Sequence, residues 1–348
     1  MRTAPTPQPV ADLAATQKGN DVVLTFTLPK QTINQRPLEQ PVTIMIYRDF
    51  EPSSANAAQN RPAMPSNPTL LATIPAAMVN NYAVQGRVRY SDSLRAEDFA
   101  KDSGMLAIYA VRTSVSKKAA SPNSNVADVR VEPAADPITD LKAEVTRTGV
   151  VLSWSAPGKT FLPAAAVIVS YRIYRGETTR ENSNAPPTLT KIGETESPPF
   201  ADTQAQFGEN YVYSVRSVAQ NAGENVESAD SNLLAITPKD VFPPAAPQGL
   251  VAAAVPAQGD TPAHLELSWE ISPEPDVAGY NIYRTDQPGQ AGVRLNTELL
   301  LTPAFRDMNV QPGRVYYYSV TAVDRAGNES SQSAVVSGTV ATESQKTQ

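Results

Sequence analysis

Short runs in which apolar and polar residues alternate with a period of two recur along this chain. The most regular are VVLSWSAP at 150–157 and LELSWEIS at 265–272, and DVVLTFTLP at 21–29 repeats the pattern. Such alternation sets one row of side chains on each face of a strand, and the Val, Ile, Tyr and Thr that dominate here suit half-buried strands. Proline and glycine clusters separate the runs, and no long segment has the 3.6-residue period of a core helix. About seven short strands per hundred residues, without an amphipathic helix, predict an all-β chain of two-sheet sandwiches.

The runs recur in a fixed order. Trp154 and Trp269 each lie on an early strand, with Phe26 in the corresponding place of a first copy. A second strand ends in tyrosine and arginine: TIMIYR at 43–48, SYRIYR at 170–175 and GYNIYR at 279–284. A third reads IYAVRTSV at 108–115, YVYSVRSV at 211–218 and YYYSVTAV at 316–323. In this strand Tyr211, Tyr213, Val215 and Ser217 form the expected inward row, matched by Tyr316, Tyr318, Val320 and Ala322, and each tryptophan is expected to fill the middle of its core. Three tandem units are therefore expected, over 9–133, 137–238 and 244–341, joined by VEPAADP at 131–137 and TPKDVFPPAAP at 237–247. Proline restricts φ and favours extended backbone, so an extended, semi-rigid arrangement is expected.

Composition narrows the chemistry. The net charge of −6, with no dense basic block, argues against a nucleic-acid partner. Absence of cysteine excludes disulfides and thiolate chemistry. His264 is the single histidine, which excludes multi-histidine metal sites and any recurring serine–histidine–acid arrangement; it is expected at a surface or turn. No phosphate loop, dinucleotide fingerprint or EF-hand spacing is present, so no cofactor is expected. No apolar run approaches 18 residues, so no transmembrane segment is expected. In DRAGNES at 324–330, Asp324, Asn328 and Glu329 offer oxygen ligands for calcium, and a tight turn explains Gly327 and Asn328 equally well.

The early tryptophan, the GYNIYR strand, the YYYSVTAVDRAGNES run and the P-x-x-P-x-x-L entrance at 244–250 resemble the fibronectin type III modules of bacterial proteins. The resemblance is strongest in the third copy and weakest in the first, where Phe26 replaces tryptophan and inserts occupy 51–68 and 93–104. It implies immunoglobulin-like sandwiches and a non-catalytic binding, adhesion or scaffold protein of the bacterial cell envelope. A purely structural spacer or accessory subunit is the first alternative, and a hydrolase built on the first-copy inserts is the second.

Two surfaces are candidates for a protein or glycan partner. One is the sheet face bearing Tyr174, Arg175, Tyr283 and Arg284. Either tyrosine there covers cross-strand neighbours while arginine confers solubility, or the repeated aromatic and guanidinium groups meet a ligand. The other surface lies on the inserts, where Met64 and Pro65, or Leu94 and Phe99, offer an apolar centre, and where Ser93 is expected to cap a short helix ended by Gly104. No catalytic or metal-ligating residue is assigned. The opening MRTAPTPQPVADL has no apolar leader but resembles the tether of a bacterial lipoprotein. A signal peptide and lipid-bearing cysteine are therefore expected upstream of Met1, placing the chain in the periplasm, attached to the outer membrane or at the cell surface; the alternative is cytoplasmic.

Overall fold

A computed structural model describes residues 5–51, 63–100, 105–160, 167–177, 188–221 and 224–342. Its strands form antiparallel sheets that enclose three hydrophobic cores. The first sandwich contains β1 (Ala14–Lys18), β2 (Asp21–Thr27), β3 (Thr43–Glu51), β4 (Thr69–Ile74), β5 (Ala83–Val84), β6 (Arg87–Ser93), β7 (Leu106–Ser116), β8 (Ala119–Ala120) and β9 (Ala127–Arg130). One sheet runs β1-β2-β6-β5 and the other β4-β3-β7-β8, with β9 also paired to β7.

The second contains β10 (Lys142–Thr146), β11 (Gly149–Ser153), β12 (Ile168–Glu177), β13 (Thr190–Thr195), β14 (Phe200–Asp202), β15 (Tyr211–Asn221), β16 (Glu224–Glu227) and β17 (Leu234–Ile236), as sheets β10-β11-β14 and β13-β12-β15-β16 with β17 on β15. The third contains β18 (Val251–Val255), β19 (His264–Ser268), β20 (Val277–Thr285), β21 (Val293–Arg294), β22 (Ala304–Asp307), β23 (Tyr316–Asp324) and β24 (Val336–Gly338), as sheets β18-β19-β22 and β21-β20-β23-β24.

Register follows the inward rows. Ile46 lies opposite Val111, Ile173 opposite Val215 and Ile282 opposite Val320, all six buried. A one-residue slip would turn each row outward, so burial itself fixes the pairing. Trp154 and Trp269 are buried just beyond β11 and β19, and Phe26 is buried within β2. Each indole meets a tyrosine of the opposite sheet edge-on: Trp154 and Tyr171 at 5.3 Å and 62°, Trp269 and Tyr280 at 5.4 Å and 72°.

A serine pair closes each long strand where its neighbouring strands give out. The hydroxyls of Ser121 and Ser124 accept the backbone N–H groups of Thr113 and Val111. Ser228 and Ser231 do the same for Ser217 and Val215, and Ser330 and Ser333 for Ala322 and Val320. Buried N–H groups must find acceptors, and here side chains supply them.

Two expectations are corrected. His264 begins β19 and is buried, although alternation sets it on the face of exposed Glu266 and opposite the inward Leu265 and Leu267; its Nδ1 lies 3.0 Å from the carbonyl oxygen of Pro262 and its Nε2 3.7 Å from Glu266 Oε1. The short helix α1 spans Ala96–Ala100, and Ser93 ends β6 instead of capping it; the Asp98 carboxylate accepts the Arg95 N–H at 2.7 Å. Gly104 and residues 52–62 of the first insert lie outside the described residues. In the proline-bearing segment at 131–137, Val131, Glu132, Ala134 and Ala135 are buried.

The chain divides into two compact units, Met1–Pro238 and Lys239–Gln348, so the first two sandwiches share one unit and the third forms the other. Within the first unit, the turn between β1 and β2 docks on the second sandwich. Gly19 has φ +60°, and its N–H donates to the Glu227 carbonyl at 2.9 Å. A Cβ there would come within 2.8 Å of the Ala229 nitrogen, so both conformation and proximity demand glycine. Lys18 Nζ lies 2.5 Å from Asp230 Oδ2, and the Gln17 amide donates to the Glu132 carbonyl while accepting its N–H.

Candidate functional site

The tyrosine–arginine strand endings resolve into a buried polar set present in every sandwich. Arg175 follows Tyr171 and Ile173 on the inward row of β12, and its Nη1 donates to Asp202 Oδ2 on β14 of the facing sheet at 2.8 Å. Tyr213 of β15 donates its hydroxyl to the same oxygen at 2.7 Å. In the third sandwich Arg284 and Tyr318 converge on Asp307 Oδ2 at 2.7 and 2.8 Å, and in the first Arg48 and Tyr109 converge on Asp92 Oδ2 at 2.9 and 2.8 Å. The three aspartates are buried. Burial together with the adjacent carboxylate pushes the phenols of Tyr109, Tyr213 and Tyr318 far up. Burial opposes the charge on Arg48, Arg175 and Arg284, but the aspartate outweighs it and raises each guanidinium.

Each guanidinium also lies over an aromatic ring: Arg48 over Phe50, Arg175 over Tyr211 and Arg284 over Tyr316, at 4.9, 5.0 and 4.9 Å. Arginine, tyrosine and aspartate thus tie one sheet to the other. Arg175 and Arg284 point into the sandwich and confer no surface solubility, which corrects the expectation for the arginine half of the motif. The tyrosines that precede them lie on the outer face and are half-buried. Tyr174 donates to Glu227, and Tyr283 donates to Glu329 Oε1 at 2.6 Å.

The inserts divide differently from the expectation. Leu94 and Phe99 are 4% and 3% exposed within the first core, so they cannot form the apolar centre of an interface: the turn after β6 and helix α1 fold them against that core. Arg48, 3.6 Å from Asp98, helps hold the helix there. Pro65 is exposed and Met64 half-exposed. The calcium set is likewise rearranged. Glu329 turns to Asn281, Tyr283 and Thr321, while Asn328 donates its backbone N–H and side-chain amide to the two Asp324 oxygens, each at 2.8 Å. Asp240, Asp276 and Asp324 instead bring carboxylate oxygens within 4.8 Å of one another. Three such oxygens are fewer than the six to eight that calcium takes, and those of Asp324 already accept hydrogen bonds.

Sequence reasoning missed the groove between the first two sandwiches, of about 670 Å³. Outer-face residues of β2 and β6, among them Val23, Thr25 and Arg89, form one wall, and Arg172, Tyr174 and Arg216 form another. Arg172 and Arg216 both donate to Glu227, and Arg216 also donates to Asp230 at 2.6 Å. The Arg216 guanidinium lies 3.9 Å from the Tyr174 ring centroid. Burial would raise the carboxyls of Glu227 and Asp230, but Arg172 and Arg216 hold the first, and Lys18 and Arg216 the second, below the ordinary range. The Arg89 side chain has no partner among the described residues, its backbone N–H donating to the Tyr82 carbonyl. No sequence signal joins these walls, because they come together only when the Gly19 turn docks.

Residues 138–233 match the family model described as fibronectin type III domain SaeA third domain. A fibronectin type III-like sandwich is therefore present in part of the chain, within a tandem of sandwich-like domains. The chain is similar to Exoglucanase B of Cellulomonas fimi, 29% identical over 261 residues, which is 73% of this chain and 20% of that protein. It is also similar to Amylopullulanase of Thermoanaerobacterium saccharolyticum, 35% identical over 95 residues, which is 27% of this chain and 7% of that protein. The chain thus spans a fifth or less of the length of these relatives. Among solved structures, the chicken CNTN1 FN1-FN3 domains align over 97% of this chain and 99% of theirs, at 14% identity and a TM-score of 0.27. An Fn3-like protein from Clostridium thermocellum aligns over 30% of this chain and 100% of its own, at 26% identity and a TM-score of 0.25.

Proposed function

We propose that this chain is a non-catalytic binding or scaffold protein of the bacterial cell envelope, its sandwiches holding a partner or a neighbouring module in place. The observation that carries this reading is the arginine–tyrosine–aspartate set. The acids and phenols that recur with the fold are buried, the arginines are partly so, and the three bond to one another between the sheets, where they stabilise the domain. The two enzyme relatives support it in one respect. Their names concern glucan chemistry, yet the likeness covers only a small part of either protein, as expected for a module that accompanies a catalytic domain. No helix among the described residues is long and apolar enough to cross a membrane.

The full chain should show no turnover of cellulose-, starch- or pullulan-type glucans. Turnover abolished by one carboxylate substitution would overturn the reading. Cell fractionation tests the location, with recovery confined to the cytosol counting against it. A spacer role is the second reading, favoured by the Gly19 turn and the Lys18–Asp230 pair that fasten the first two sandwiches together. Loss of partner capture on deleting residues 54–66, without loss of the fold, would favour binding over spacing.

A further inference from the structure

We infer that the groove between the first two sandwiches takes one extended peptide segment bearing acidic side chains, which pairs its backbone with the open edge of β16 and sets a carboxylate against Arg89. This rests on the non-catalytic binding role proposed above and supplies its ligand class.

Two sheet edges border the groove, and they differ: β1 is flanked along its outward side by residues 125–132, with the Asn125 side chain on the Leu13 backbone and the Gln17 side chain on that of Glu132, whereas β16 is open. β1 pairs only with β2, and β16 only with β15. In antiparallel pairs, alternate residues turn their N–H and C=O groups away from the partner. The two-residue turn at Gly19 closes the Lys18–Asp21 pair, so Ala15 and Gln17 are the β1 residues whose backbone points outward. On β16, Ser228 N–H donates to the Ser217 carbonyl, which makes Asn225 and Glu227 the outward pair. The Glu227 carbonyl confirms this alternation by accepting from Gly19 across the interface. Ala15, Gln17, Asn225 and Glu227 all line the groove. Open strand edges are templates for an added strand, whose backbone supplies affinity whatever its sequence.

Charge sets the kind of segment. Five cationic side chains and two anionic ones line the groove, in a chain whose net charge is −6. Lys18, Arg130, Arg172 and Arg216 have carboxylate partners, which leaves Arg89 as the guanidinium free to take an incoming one. A glycan fits less well. The Tyr174 hydroxyl is committed to Glu227 and one ring face is covered by Arg216, so the only aromatic ring of the lining offers no open platform there.

The test uses the full chain and a blocked, fluorescent hexapeptide of alternating valine and aspartate. Anisotropy should give a Kd below about 1 mM, with the lysine-for-aspartate peptide at least about tenfold weaker. Arg89→Glu, on an exposed position, should weaken the acidic peptide about tenfold while leaving thermal unfolding unchanged. A backbone N-methylated version of the peptide keeps its carboxylates but cannot pair as a strand, and should lose binding. Equal binding by the N-methylated peptide, indifference to Arg89→Glu, or no binding overturns the inference. Oligogalacturonate binding that is sensitive to Arg89→Glu while the peptide stays unbound would assign the groove to an acidic glycan and overturn it too. A silent groove in a chain that also turns over no glucan defeats this inference alone; glucan turnover defeats the underlying reading.

Discussion

Tyr213 on one sheet of the second sandwich donates its hydroxyl to Asp202 on the other at 2.7 Å, and Arg175 meets the same carboxylate oxygen. Removing Tyr213's hydroxyl leaves the Asp202–Arg175 pair in place, whereas removing Asp202's charge strands a largely buried guanidinium. Tyr213→Phe should therefore cost about 1–3 kcal/mol and Asp202→Ala about 3–5 kcal/mol of the second sandwich's stability. Urea unfolding followed by Trp154 fluorescence, in a Trp269→Phe background, separates this domain from the third. Equal costs for the two substitutions would contradict the arrangement.

The serine pairs make a second, independent claim. Ser231→Ala takes away the acceptor of the buried Val215 N–H, and Ser333→Ala that of Val320. Each should destabilise its own sandwich by about 1–3 kcal/mol. Hydrogen exchange should accelerate at Val215 or Val320 and stay unchanged in the other copy.

For the tryptophans, truncation and conservative replacement should diverge. Both indole Nε1 atoms are buried without a hydrogen-bond partner among the described residues. Trp154→Ala or Trp269→Ala should cost about 3–5 kcal/mol through the cavity it leaves. Phenylalanine at either place fills much of that volume and removes the unpaired N–H, so its cost should be clearly smaller. Urea midpoints of the alanine and phenylalanine variants check this directly.

Acid should loosen the joint between the first two sandwiches. Glu227 and Asp230 have carboxyls held below 4.5 and 3.8, their ordinary values, by Arg172, Arg216 and Lys18 despite burial. A carboxyl depressed in the folded state contributes its stabilisation fully above the unfolded value and loses it as pH falls through the folded one. Exchange protection at Gly19 and Glu132 should therefore hold from neutral pH down to about 4.5 and decline below it. Gly19→Ala should lower that protection already at pH 7, because its Cβ meets the Ala229 backbone. A flat profile across the acid range would show that these carboxylates do not hold the joint.

Much of the fold was legible because period-two alternation marks a strand wherever one face is buried. Trp154, Trp269 and the Tyr213 and Tyr318 rows fell where alternation put them. The same alternation placed Arg175 on the inward row with Tyr171 and Ile173, but a buried arginine makes sense only with its counter-ion, and Asp202 lies 27 residues away on the facing sheet. The recurrent serine pairs at 121–124, 228–231 and 330–333 were a readable signal, since the same spacing follows each long strand. Leu94 and Phe99 were misplaced because an insert reads as surface until the core it folds against is known. The groove was illegible for a different reason: Arg89 and Tyr174 belong to different sandwiches, and only docking makes them neighbours.

The Gly19 turn also bears on how the first two sandwiches carry load. One covalent connection between two bodies behaves as a pivot, resisting a pull but yielding to torsion. Here the buried segment around Glu132 and the Gly19–Glu227 backbone bond attach at separate points, with Gln17 bracing one to the other. Twist about the connection must stretch the second attachment, so torque on the first sandwich passes into β16 instead of being lost at a swivel. A one-residue insertion in the turn, which leaves the covalent path intact, would turn that strut back into a hinge.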